Sequence, residues 1–161
     1  MTNEQFPEES VFMQQRIINR VERDPHYKRY LQSFEPKHDS SAAAAIVLAA
    51  RQIAATVNAK AIVSFTVGGT TALRASKKRP DVPILAISPL RETSRQLAMS
   101  WGVYPEFSDA KPKEFHHMLR DACEIALKKG LASDLNDHLV VTAGLPFGTP
   151  GAAVRYGLFG F

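Results

Sequence analysis

Six consecutive residues, Thr66-Val67-Gly68-Gly69-Thr70-Thr71, have the composition of an anion cradle. An apolar, strand-like run, Ala61-Ile62-Val63-Ser64-Phe65, leads into them, and a helical pattern follows from Ala72 to about Lys78. A helix opening here presents its first backbone N–H groups without intrahelical partners, and its dipole favours negative charge at that end. Two glycines let a ligand approach the backbone closely, and three threonines add hydroxyl donors. The turn lacks the Gly-x-Gly-x-x-Gly spacing of a dinucleotide site and the Gly-Lys-Ser/Thr of a nucleotide P-loop. Taken alone, the six residues are equally consistent with a helix start whose small side chains serve packing.

The elements around this turn are legible from periodicity. Pro7 and Glu8-Glu9-Ser10 mark a helix start, and Val11, Gln14, Ile17, Ile18, Val21 and Glu22 follow at helical spacing. Asp24-Pro25 interrupts the pattern, a short Tyr- and Phe-rich segment spans 26–34, and Glu35-Pro36-Lys37-His38-Asp39 reads as a linker. The expected division is therefore 1–35 and 36–161. Ser40-Ser41 caps a helix from Ala42 to about Val57, whose apolar face carries Ile46, Ala49, Ala50, Ile53 and Val57. Strands are expected at 61–65, 84–88, 103–107, 139–142 and 153–159. Helices are expected from Thr70 to Arg79-Pro80, over 92–100, and over 112–129 with Gly130 as the stop.

Strands alternating with helices predict an α/β fold, a three-layer α/β/α sandwich around a mostly parallel sheet. The 61–65 strand is almost wholly apolar, as a central strand covered on both faces should be. In such sheets ligands sit beyond the carboxyl ends of the strands. The turns at 66–71, at Ser88-Pro89 and at 144–150 all fall on that edge and point to one pocket.

Composition narrows the partners. The chain has 161 residues, 45% hydrophobic and 22% charged, which suits one domain of ordinary size with a core that needs no staples. The single cysteine, Cys123, excludes an internal disulfide and a cysteine-cluster metal site; with Phe115, Leu119, Ala122 and Ala126 it reads as a core thiol. No stretch reaches membrane-span length and no signal-like apolar core opens the chain, so a soluble, cytoplasmic protein is expected. Net charge is +4, but the basic residues are scattered and no basic run is interleaved with aromatics, so neither nucleic acid nor membrane is an expected partner. His26, His38, His116, His117 and His138 form no ligand spacing, and no metal site is expected.

A longer pattern carries a resemblance. It comprises Arg51 to Ala59, then Ala61 to Thr66, Gly69-Thr70-Thr71-Ala72, Arg79-Pro80, Pro83-Ile84-Leu85-Ala86-Ile87-Ser88-Pro89 and Trp101-Gly102-Val103-Tyr104-Pro105. In that order and spacing it resembles the C-terminal domain of pyruvate kinase. The run Val140-Val141-Thr142-Ala143-Gly144-Leu145, continuing to Gly151, resembles the last-but-one strand of that family and the loop after it. The resemblance spans roughly residues 6 to 151.

Pyruvate kinases, enzymes of glycolysis, transfer a phosphoryl group from phosphoenolpyruvate to ADP using Mg²⁺ and usually K⁺. That chemistry belongs to an α/β barrel preceding this domain. Phe6-Pro7-Glu8-Glu9-Ser10-Val11 looks like the opening of the barrel's final helix, so residues 1–35 read as its remnant plus a linker. The resemblance thus implies no catalytic residue, no cofactor and no pyruvate kinase activity in this chain itself.

It implies instead an allosteric and assembly role, and a five-stranded sheet whose last strand is antiparallel. In the family, effector phosphates lie on the turn matched by Thr66, Val67, Gly68, Gly69, Thr70 and Thr71. A loop matched by Pro146, Phe147, Gly148, Thr149, Pro150 and Gly151 closes over the ligand in members that respond to fructose 1,6-bisphosphate. Two departures argue against that bisphosphate here. Gly68 stands where a serine is frequent, and Met118 stands where an arginine takes the second phosphate, with Arg120 half a turn away. A sugar monophosphate, AMP, or a phosphate or sulfate ion is the expected ligand.

Three functional readings follow. The first is the regulatory and assembly domain of a pyruvate kinase, binding a phosphorylated effector. The second is a free-standing phosphometabolite-binding α/β protein. The third is a small enzyme using Thr71 or Cys123, which no histidine or carboxylate is placed by sequence to activate. The apolar residues Phe12, Ile17, Ile18 and Val21 favour the first, and with an edge strand near the C-terminus they predict a homo-oligomer.

Overall fold

The structure, a computed structural model, describes residues 6–33, 41–109, 115–133, 136–145 and 153–160. It divides into two compact units, Met1–His38 and Asp39–Phe161. The first holds α1 (Pro7–Glu22) and α2 (Pro25–Ser33). Pro7 fits the start of α1 because no N–H is needed there, and Glu8 and Glu9 in the first turn and Arg20 in the last complement the helix dipole. The Asp24 carboxylate accepts the His26 N–H at 2.8 Å, which restarts the chain as α2.

The second unit runs α3 (Ala42–Thr56), β1 (Ala61–Phe65), α4 (Thr70–Lys77), β2 (Ile84–Ser88), α5 (Arg91–Leu97), β3 (Val103–Phe107), α6 (Phe115–Lys128), β4 (His138–Leu145) and β5 (Ala153–Gly160). The sheet order is β3-β2-β1-β4-β5. β1 lies parallel to β2 and to β4, with Val63 opposite both Leu85 and Val141, and β2 lies parallel to β3. β5 pairs with β4 in the opposite sense. The α/β fold with a parallel sheet is the one the alternation of elements predicts.

Strand periodicity divides the core between the two faces of the sheet. Ala61, Val63, Leu85, Ile87, Leu139 and Val141 pack against Ala122 and Ala126 of α6. On the other face, Ile62 and Val140 meet Ala50 and Ala54 of α3, while Ile84 and Ala86 meet Val47, Ala72, Ala75 and Leu97 from α3, α4 and α5. Small residues on the helices let them approach the sheet closely. Burying each large aliphatic side chain contributes roughly 1.5–3 kcal/mol.

Element ends follow local chemistry. The Ser41 hydroxyl accepts the Ala44 N–H at 3.2 Å and caps α3. Arg79, with φ +47°, turns the chain out of α4, and Gly130, with φ +67°, ends α6.

Three expectations are corrected. The buried row of α3 is Ala44, Val47, Ala50 and Ala54, so Ile46, Ile53 and Val57 flank the contact rather than centre it. α5 stops at Leu97 rather than at residue 100, because the chain must turn through Gly102 (φ +67°), whose carbonyl accepts the Ile84 N–H at 2.8 Å. β4 extends from His138 to Leu145, beyond the expected 139–142, because it is paired on both sides. The expected start of α6 at residue 112 lies outside the described residues.

Candidate anion-binding turn

The strand order reverses between β1 and β4, a topological switch point, and crevices in open α/β sheets form beyond the carboxyl ends there. The 66–71 turn leaves β1 at that point. Thr66 is buried and its N–H donates to the Ile87 carbonyl at 3.0 Å, so the turn begins anchored to β2. Val67, Gly68 and Thr70 are exposed, and Thr71 is half-buried.

Gly69 is the N-cap of α4, with φ +79°, and no side chain caps this helix. The first N–H groups of α4 are therefore left for solvent or a ligand. A Cβ at Gly69 would stand 3.3 Å from Leu97 Cδ2 and 3.3 Å from Thr93 Cγ2, so this glycine serves both a left-handed backbone and the packing of α4 on α5. Gly68 differs, since a Cβ there meets nothing within 4 Å. Its outer side is open.

Ser88, at the end of β2, holds the turn in place. Its buried hydroxyl donates to the Val67 carbonyl at 3.2 Å and accepts the Leu90 N–H at 3.2 Å. The sequence places Ser88 at the pocket edge but does not reveal this tether; the available signal is a hydroxyl closing the otherwise apolar run Ile84-Leu85-Ala86-Ile87. Beside Ser88 in the sheet register stands Phe107 of β3, with the Arg91 guanidinium 4.0 Å above its ring.

Other candidates fall elsewhere. Met118 is buried, and Arg120 is exposed with its guanidinium 3.9 Å from Glu124. Cys123 is half-buried against the α6 side of the core, and burial, with Glu124 as the lesser cause, pushes its thiol above the ordinary range. The loop Pro146-Phe147-Gly148-Thr149-Pro150-Gly151 lies outside the described residues. Among the described residues there is no group of three or more His, Cys, Asp or Glu able to hold a metal ion, and no helix long and apolar enough to cross a membrane.

Residues 44–153 match the family model described as the α/β domain of pyruvate kinase. Pyruvate kinase of Agrobacterium vitis is 38% identical over 147 residues, covering 91% of this chain and 31% of the relative. Pyruvate kinase of Methylorubrum extorquens is 35% identical over 151 residues, covering 91% and 30%. Among solved structures, Cryptosporidium parvum pyruvate kinase in complex with ADP superposes with a TM-score of 0.68 at 26% identity, over 78% of this chain and 24% of that one. The chain spans under a third of the length of these relatives.

Proposed function

The chain belongs to the pyruvate kinase family through its C-terminal α/β domain, and we propose that it acts as a regulatory and subunit-assembly module that binds a phosphorylated effector. The observation that carries the effector half is the α4 N-terminus. It is uncapped, starts from a left-handed glycine, opens outward at Gly68 and sits at the switch point of the sheet. Free backbone donors and a helix dipole converging on an accessible spot suit one phosphate group.

The buried Met118 and the Glu124-paired Arg120 favour a ligand with a single phosphate, such as a sugar monophosphate or AMP, over a bisphosphate. On this reading the parent reaction is phosphoryl transfer from phosphoenolpyruvate to ADP in glycolysis, in the cytoplasm, with the domain working as part of a homo-oligomer. The described residues do not fit the Mg²⁺ of that reaction, since they hold no group of three or more His, Cys, Asp or Glu. Nucleic acid and membrane are not partners in this proposal.

A thermal-shift screen with glucose 6-phosphate, ribose 5-phosphate, AMP, fructose 1,6-bisphosphate and inorganic phosphate tests it. A compound that binds only the folded state must raise the melting temperature. A rise with one monophosphate, lost in Thr71→Ala, supports the effector reading; no rise with any compound removes it. Phosphoenolpyruvate-dependent ATP formation by the purified chain would contradict the absence of catalysis.

A further inference from the structure

The start of α4 has a polar neighbour outside the 66–71 turn. Thr93 of α5 is 7% exposed, and its Cγ2 is one of the atoms that a Cβ at Gly69 would meet at 3.3 Å. The Thr93 side chain therefore lies against the cap of α4. Leu97, which shares that contact, stands one helical turn further along α5. Because α5 starts just beyond the carboxyl end of β2, Thr93 is the nearer of the two to the edge where a ligand would sit. Its hydroxyl branches from the same Cβ as the methyl, so it too stands beside the cap.

Among the described residues the Thr93 hydroxyl has no hydrogen-bond partner. Neither has the hydroxyl of Thr66, 8% exposed at the start of the turn. Ser64 Oγ is the one unpartnered hydroxyl among these residues that is also sealed from solvent, so those of Thr66 and Thr93 keep an opening. A hydroxyl on a residue this buried is normally satisfied, and one that the protein leaves unpaired but reachable is free for a ligand.

We propose that Thr93 is a ligand-contacting residue of the anion site. Its hydroxyl donates to an oxygen of the phosphate group held by the first N–H groups of α4, together with the hydroxyl of Thr66. The site then draws its side-chain donors from two elements, the end of β1 and the first turn of α5. Packing of α5 on Gly69 thus sets the position of a donor as well as the shape of the turn. This inference rests on the effector reading above and adds to it a residue that the turn itself does not supply.

Titration of the full chain with inorganic phosphate, with the melting temperature of each variant measured alongside, tests it. Thr93→Val exchanges the hydroxyl for a methyl and should weaken phosphate binding about tenfold, the effect of losing one hydrogen bond to a charged group. Its melting temperature should not fall, because the lost hydroxyl has no partner among the described residues. Thr93→Ser keeps the hydroxyl and should bind phosphate as the wild type does. Wild-type affinity in Thr93→Val overturns the proposal and leaves the effector reading standing. Weaker binding accompanied by a lower melting temperature also overturns it, as does equal weakening by Thr93→Ser, since either result makes Thr93 a packing residue. A wild-type chain that binds no phosphate overturns both the proposal and the effector reading.

Discussion

The Ser88 hydroxyl and the Val67 carbonyl lie 3.2 Å apart, and this hydrogen bond joins the turn after β1 to the end of β2. The same hydroxyl accepts the Leu90 N–H, so one buried side chain fixes two loops at the carboxyl edge of the sheet. Removing it in Ser88→Ala leaves both backbone groups short of a partner. A loss of about 1–3 kcal/mol in urea unfolding is expected, together with weaker phosphate binding. Unchanged binding would mean that the turn holds its shape without this tether.

The two adjacent glycines are expected to respond differently. Gly69→Ala forces a side chain onto a backbone at φ +79° and against Leu97 and Thr93 at 3.3 Å. The conformational part alone costs roughly 1–2 kcal/mol, and packing adds to it. Gly68→Ser meets open space, should leave stability near wild type and, by adding a hydroxyl to the turn, should tighten phosphate binding. Denaturant curves paired with phosphate titrations of both variants check this contrast.

Ser64 Oγ is fully buried and has no hydrogen-bond partner among the described residues, although it stands opposite Thr142, whose hydroxyl donates instead to the Val63 carbonyl at 3.1 Å. Deleting an unsatisfied buried hydroxyl removes its desolvation penalty, so Ser64→Ala is expected to gain on the order of 1 kcal/mol. Destabilisation by this change would show that a bound water satisfies the group.

The Cys123 thiol is raised mainly by burial, which disfavours the thiolate. In the folded state it should be alkylated by iodoacetamide more slowly at neutral pH than in the unfolded chain. Because the folded pKa lies above the unfolded one, its contribution to stability is complete below the ordinary thiol value and is lost as the pH rises through the folded pKa. Cys123→Ala should flatten the alkaline end of the stability curve. A wild-type alkylation rate equal to that of the unfolded chain would contradict the shift.

The α/β fold with a parallel sheet was legible in the sequence because its signals are local. Ala61-Ile62-Val63 is a strand covered on both faces, Ser41 is a cap, and Gly130 is a stop. Strand and helix ends were less legible where tertiary pairing decides them. β4 runs on to Leu145 because two strands hold it, and α5 ends early because Gly102 must turn into β3. The composition of the 66–71 turn is equally consistent with an anion cradle and with a helix start packed through small side chains, and the geometry of the turn rests on long-range facts. The Ser88 tether joins residues 21 apart in sequence, and the differing surroundings of Gly68 and Gly69 depend on where α5 packs.

The most direct test of the central claim is a two-dimensional ¹H–¹⁵N spectrum of the chain titrated with inorganic phosphate and then with a sugar monophosphate. The account requires saturable shifts in the amides of Gly68, Gly69, Thr70, Thr71 and Ala72, the donors at the start of α4. Amides that stay still while phosphate reaches millimolar excess, or that move only elsewhere on the domain, would contradict it.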